Sequence, residues 1–97
     1  MADVMDEPLA PEAARQLIRE ILRAGRFIYS KHAKEELLVA RLTTVDCENV
    51  LRGGVVRPGE FENGSWRYRV ETGRITVVVA FRSEHELVVV TAWRVER

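Results

Sequence analysis

The chain changes rhythm near residue 54, and that change decides most of what it can fold into. Before it, apolar residues recur at helical spacing; after it come short β-rich runs divided by tight-turn signals. Residues 11–24 (PEAARQLIREILRA) set Ala14, Leu17, Ile18 and Ile21 at i, i+3, i+4 and i+7, which is one stripe of a helix. Pro11 suits its first turn, where a missing N–H is no loss, and Gly25 suits the left-handed position past its end. Phe27, Ile28 and Tyr29 read as a short extended link. Ser30 can cap a second helix over residues 31–41, with Ala33, Leu37 and Ala40 as its inner stripe. Thr43 and Asp46 have capping-box spacing for a third helix over 44–52, flanked by Leu42 and Cys47 as a hydrophobic staple. Gly53 or Gly54 ends it.

Glu62-Asn63-Gly64-Ser65 is a strong hairpin signal, because Asn-Gly readily takes the positive φ angles of a type I′ turn. Thr72-Gly73 is a second tight turn, and Ser83-Glu84-His85-Glu86 a third. The strands then run roughly over 54–61, 66–71, 74–82 and 87–95. Pro58 cannot donate to a ladder, so the first of them is an edge strand or is broken there. These turns pair Val70 with Ile75, Tyr68 with Val77 and Trp66 with Val79. They also pair Phe81 with Val88, Val79 with Val90 and Val77 with Ala92. Alternation across the sheet puts Trp66, Tyr68, Val70, Ile75, Val77, Val79, Phe81, Val88, Val90 and Ala92 on the face that carries the helices. The opposite face takes Arg67, Arg69, Thr76, Val78, Ala80, Arg82, Val89, Thr91 and Trp93.

Ninety-seven residues make one domain, and an apolar share of 46% suffices for a core. Residues 1–8 are acidic and poor in large apolar groups, which predicts a mobile tail ahead of a single domain over 9–97. No apolar run approaches the ~20 residues of a membrane span, and no signal-peptide pattern opens the chain. Cys47 is the one cysteine, so an internal disulfide and a cysteine-based metal cluster are excluded. A reducing, cytoplasmic setting fits, and neither cofactor nor metal is expected.

Formal net charge is zero, with 15 basic and 15 acidic residues, so clustering matters more than the total. Guanidinium groups bind phosphate oxygens bidentately. Arg67, Arg69 and Arg82 on one sheet face therefore suggest an anionic partner, RNA first, with Trp93 placed to stack an unpaired base. The competing reading is a solvated face whose arginines pair with Glu71 or Glu86. Val78, Val89 and Trp93 on that face would make an unusual apolar patch, which suggests a covered surface. His32, just after the Ser30 cap, is a candidate general acid or base, or a contact to a phosphate; alternatively it is a structural histidine bonded to nearby groups. Arg94 falls on the helix-facing side and needs solvent, a carboxylate such as Glu35 or Glu36, or a role beside His32. His85 lies at a hairpin tip and is expected to be solvated.

Ser30-Lys31-His32-Ala33 resembles the S-x-H-A helix start of a family of small bacterial proteins. The family pattern continues with an arginine near the helix end (here Arg41), a threonine-started helix closing in L-x-x-G (Leu51 to Gly54), and a meander ending in V-V-T-x-x-R (Val89 to Arg94). The resemblance spans about residues 26–95, and the family is similar to a distant branch of the RelE, ParE and BrnT toxin superfamily. It implies helices followed by an antiparallel sheet. In the RelE-like and BrnT-like groups it also implies a ribonuclease, ribosome-dependent or free, paired with an antitoxin; ParE-like relatives act on gyrase without cutting RNA. His32, Arg41 and Arg94 match the family's recurrent positions.

The sequence therefore predicts an α+β domain of RelE/ParE-like type, its N-terminal helices packed on one face of a four-stranded antiparallel meander. The leading functional expectation is a toxin-type, RNA-acting protein, with RNA or the ribosome and a cognate antitoxin as partners and no membrane. Its site would combine His32, Arg41 and Arg94 as catalytic groups with Arg67, Arg69, Arg82 and Trp93 as RNA contacts. The alternative is a non-catalytic module that binds a protein through the sheet face or an edge strand. A third reading is a small domain that only forms a homodimer.

Overall fold

The computed structural model describes residues 6–95 of the chain. Three helices precede most of a mixed, six-stranded sheet. In chain order the elements are α1 (Pro11–Ala24), β1 (Arg26–Tyr29), α2 (Lys31–Ala40), α3 (Thr44–Gly53), β2 (Val55–Val56), β3 (Glu60–Glu62), β4 (Ser65–Glu71), β5 (Ile75–Ser83) and β6 (Glu86–Arg94). Strand order is β1-β6-β5-β4-β2, with β3 also paired to β4.

The helices form where their caps and stripes predict. Ser30 Oγ accepts from the Ala33 N–H at 2.9 Å, and Thr43 and Asp46 close a reciprocal capping box at 3.1 and 2.8 Å. Ala14, Ile18 and Ile21 of α1, Ala33 and Leu37 of α2, and Cys47, Val50 and Leu51 of α3 enter one core with Tyr68, Val70, Val77, Val79, Leu87, Val89 and Ala92 of the sheet. Gly54 follows α3 because the chain passes so close to Val50 and Val70 there that a Cβ would collide with both.

The sheet departs from a four-stranded antiparallel meander in two ways. The expected link at residues 27–29 belongs to a strand, β1, which pairs with β6 in parallel from Arg26↔Glu86 to Tyr29↔Val89. Its signal was only four residues long, too short for periodicity to declare it. The expected first strand is both broken and at the edge. It splits at Pro58 into β2 and β3, and each pairs with the outer side of β4.

Two registers also differ. The β4–β5 turn sits one residue later than Thr72-Gly73, so Tyr68 faces Val79 and Val70 faces Val77. That slides the pairing by two residues and leaves every side chain on its expected face. The β5–β6 ladder is different. Ala92 faces Val77 as expected, but a bulge at Val90 makes Val89 face Val79 and Leu87 face Phe81. One extra residue inverts the faces of the strand before it. Val89 and Leu87 are therefore fully buried in the core, while Val88 and Val90 turn to the other side. The Val78–Val89–Trp93 patch does not exist as such: Val89 is in the core and Val78 is itself buried.

The expected tail divides. Residues 1–5 lie outside the described residues. Glu7 is bound, since the Tyr68 hydroxyl donates to its carboxylate at 3.0 Å and accepts from the Leu9 N–H at 2.9 Å. Among the described residues no helix is long and apolar enough to cross a membrane.

Candidate functional site

The uncovered face of the sheet carries an open cleft of about 280 Å³ lined by His32, Glu60, Glu62, Arg67, Arg69, Val78, Val90, Thr91 and Trp93. Four of the sequence-predicted residues meet there: His32 from α2, Arg67 and Arg69 from β4, and Trp93 from β6.

His32 reaches this face because α2 lies along the second half of β6, past the end of β1. The helix is tied to that strand at both ends. At its start, Ser30 Oγ donates to the Val90 carbonyl at 3.0 Å and the Ser30 N–H donates to the Val89 carbonyl at 3.0 Å. At its end, Arg94 Nε donates to the Ala40 carbonyl at 2.7 Å and its Nη2 to the Arg41 carbonyl at 3.0 Å. The bulge at Val90 thus does two things: it inverts β6, and it presents the carbonyl that seats the helix start carrying His32.

The two cleft arginines are loosely held. Arg67 lies 3.8 Å from Glu62 and Arg69 lies 3.8 Å from Glu60, both beyond hydrogen-bond reach. The Arg69 guanidinium stands over the Trp93 ring, 5.7 Å from its centroid, at the outer limit of a cation–π contact. Arg67 has in addition one long bond to Ser65 Oγ at 3.4 Å. Neither guanidinium donates a hydrogen bond to a carboxylate; Arg69 is the more open of the two, its side chain 48% exposed against 21% for Arg67. Trp93, 37% exposed, presents ring surface to solvent.

Glu60 and Glu62 are the site residues that the sequence reading missed. Glu71 and Glu86, weighed as partners for the arginines, are bound elsewhere, to Arg57 at 2.9 Å and Arg26 at 2.8 Å. The hydrogen bond from Arg26 holds the Glu86 carboxyl below the usual carboxylate range. The signal for the missed pair was present. Asn63 and Gly64 both have positive φ, as their turn type requires, and a two-residue turn there sets Glu62 opposite Ser65 and Glu60 opposite Arg67.

Three sequence-predicted residues do not join the cleft. Arg41 and Arg94 sit at the far end of α2 from His32, about 15 Å away along the ten residues of that helix. Arg94 pairs with neither Glu35 nor Glu36; its guanidinium caps the last carbonyls of α2. Arg41 takes the left-handed conformation at φ 57°, its carbonyl receives Arg94, and its side chain is exposed. Arg82 is exposed and does not line the cleft; its charge acts on Glu86. His85 lines a separate, mainly apolar groove of about 580 Å³ between α1 and the β5–β6 turn, which has no arginine or lysine to hold an anion. Among the described residues no three potential metal ligands converge.

Cys47 is buried on the inner face of α3, and burial, with Asp46 and Glu48 nearby, pushes its thiol up to about 11. A thiol so placed is a core residue rather than a nucleophile.

The cleft can hold a phosphate on two guanidinium groups, stack a planar base on Trp93, and offer an imidazole and two carboxylates for proton transfer. No protein-family model, curated protein or solved structure matches the chain.

Proposed function

We propose that this protein acts on RNA as a toxin-type ribonuclease of RelE/ParE-like character, working in the cytoplasm and restrained by a cognate antitoxin. The observation that carries the reading is the convergence of His32, Arg67, Arg69 and Trp93 on one cleft from three separate elements. The helices-before-sheet order and the S-x-H-A start of α2 support it further.

In this reading Arg67 and Arg69 bind the scissile phosphate and stabilise the extra negative charge of its pentacoordinate transition state. The ribose 2′-oxygen attacks phosphorus, and the bond to the 5′-oxygen of the next nucleotide breaks. A 2′,3′-cyclic phosphate and a free 5′-hydroxyl result. His32 moves one of the two protons, from the 2′-hydroxyl or to the leaving oxygen, and Glu60 or Glu62 serves at the other. Arg41 and Arg94 have no place at the reacting phosphate; they hold α2, and through it His32.

The test is cleavage of single-stranded RNA, with and without ribosomes, alongside growth on expression. His32→Ala should lower cleavage by about 10²-fold, the usual contribution of a positioned acid or base, and relieve growth arrest without lowering the thermal midpoint. If the wild-type chain neither cuts RNA nor arrests growth, the enzymatic reading fails.

One observation favours a second reading, a protein-binding module using the same face. Glu60 and Glu62 balance the two arginines, and Phe61, 61% exposed, stands on the short edge strand β3. A protein partner pairing along that edge would use all of these.

A further inference from the structure

The groove between α1 and α3, in the helical layer on the other side of the sheet from the cleft, carries an unbalanced positive charge. Arg19 and Arg23 of α1 and Arg52 of α3, with Leu22, Asn49 and Gly53, line a space of about 540 Å³. The lining holds three guanidinium groups and no carboxylate. Arg23 shares Glu20 at 2.8 Å, but both side chains are more than 60% exposed, so the pair is weak. Arg19 and Arg52 form no ion pair among the described residues. Arg19 and Arg23 stand one helical turn apart, where like charges repel each other.

The floor is apolar. Leu22 is only half-buried although it packs against the core. Gly53 leaves the α3 end open, with nothing within 4 Å of where a Cβ would stand. No aromatic ring lines the groove, and its floor beneath the guanidinium groups is apolar. Arginines alone would suit a phosphate backbone as well; the apolar seat among them favours an acidic peptide, which brings an apolar side chain along with its carboxylates.

We propose that this groove docks an acidic peptide segment of a partner protein, seating one apolar side chain on Leu22 while flanking carboxylates engage Arg19, Arg23 and Arg52. The inference does not rest on the RNA reading, because the groove and the cleft share no residue.

The experiment is an NMR titration of the full chain, following backbone amides and arginine Nε–H signals. Three probes are compared: a short peptide with a central leucine among aspartates and glutamates, the same peptide with lysine for every acid, and a single-stranded RNA of equal length. The acidic peptide should produce saturable shifts at Leu22, Asn49, Gly53 and the three groove arginines, and the lysine peptide none. Arg19→Glu combined with Arg52→Glu should weaken binding by at least about tenfold through charge reversal at the rim. Should that variant unfold, Arg19→Gln with Arg52→Gln makes the same comparison. Serine for the peptide's leucine should also weaken binding. The proposal is overturned if the groove signals do not move with the acidic peptide. It is equally overturned if RNA moves them as strongly, or if Arg67 and Arg69 respond to the same extent.

Discussion

Arg94 is the side chain whose charge most invites a chemical role and whose geometry most plainly denies one. Its guanidinium is spent on two carbonyls at the end of α2, where unsatisfied C=O groups and the negative end of the helix dipole favour a cation. Arg94→Ala should therefore destabilise the fold by about 1.5 kcal/mol, the lower end of the range for hydrogen bonds to a charged group because both bonds are exposed, with Arg94→Lys recovering part of it. Urea unfolding measures this; unchanged stability with lost RNA cleavage would instead return Arg94 to the chemistry. Tyr68 and Cys47 make a second prediction. Burial, reinforced by the bond to Glu7 and opposed by that from Leu9, pushes the Tyr68 hydroxyl up to about 12; Cys47 stands at about 11, and burial raises Tyr29 as well. Their ordinary values are near 10 for tyrosine and 8.5 for cysteine. The fold thus holds these protons more tightly than the unfolded chain does. The resulting stability is complete below the ordinary values and is lost as pH rises through the folded ones. The urea midpoint should stay level to about pH 9 and fall between there and pH 12. Tyr68→Phe should reduce the upper part of that fall and leave the share due to Tyr29, and a level profile to pH 12 would contradict the burial of these groups.

Elements show where local pattern suffices and where it fails. α1 matches its predicted limits of 11–24, because proline and an apolar stripe act within the segment itself; Gly25 does not take the left-handed conformation expected of it but is extended at φ -107°, where the His85 carbonyl leaves no room for a Cβ. The Thr43–Asp46 box, the Asn63-Gly64 turn and the break at Pro58 are local in the same sense, and each stands as expected. β6 is not local. Its residues are apolar on both sides, so alternation could not tell Val89 from Val90, and the bulge that separates them answers to β5, β1 and Ser30 together. β5 makes the sharpest test of the core. Val79 is fully buried opposite Val89, so Val79→Asp would leave an unpaired carboxylate in apolar surroundings. The cost, several kcal/mol, is on the order of the whole stability of a small domain. The variant should be largely unfolded by circular dichroism; a folded, soluble product would mean the core lies elsewhere.

At the scale of the whole molecule, one core joins both halves of the chain, and its margin closes with the segment before α1. Tyr68 is fully buried, and the donor and acceptor that satisfy its hydroxyl both come from Glu7–Leu9, about sixty positions earlier in the chain. A chain beginning at Leu9 would lose the Glu7 acceptor and should melt lower by the equivalent of about 1 kcal/mol. Glu7→Gln, which keeps an acceptor, should melt close to the full chain. Equal midpoints for truncated and full chains would return Glu7 to the mobile tail that composition suggested.

The α+β class, the three helices, the turn at Asn63-Gly64 and the outward face of Arg67, Arg69 and Trp93 were all determined by the sequence itself, because caps, turns and alternation operate over a few residues. Only the tertiary structure decided that Arg26–Tyr29 closes the sheet in parallel, that the bulge at Val90 sends Val89 inward, and that His32 shares a cleft with Arg67 and Arg69 while Arg41 and Arg94 do not. Each of those depends on which distant backbone groups satisfy one another. A four-residue strand acquires its hydrogen bonds only when β6 lies beside it, and an arginine's role depends on whether a carbonyl or a phosphate meets it first.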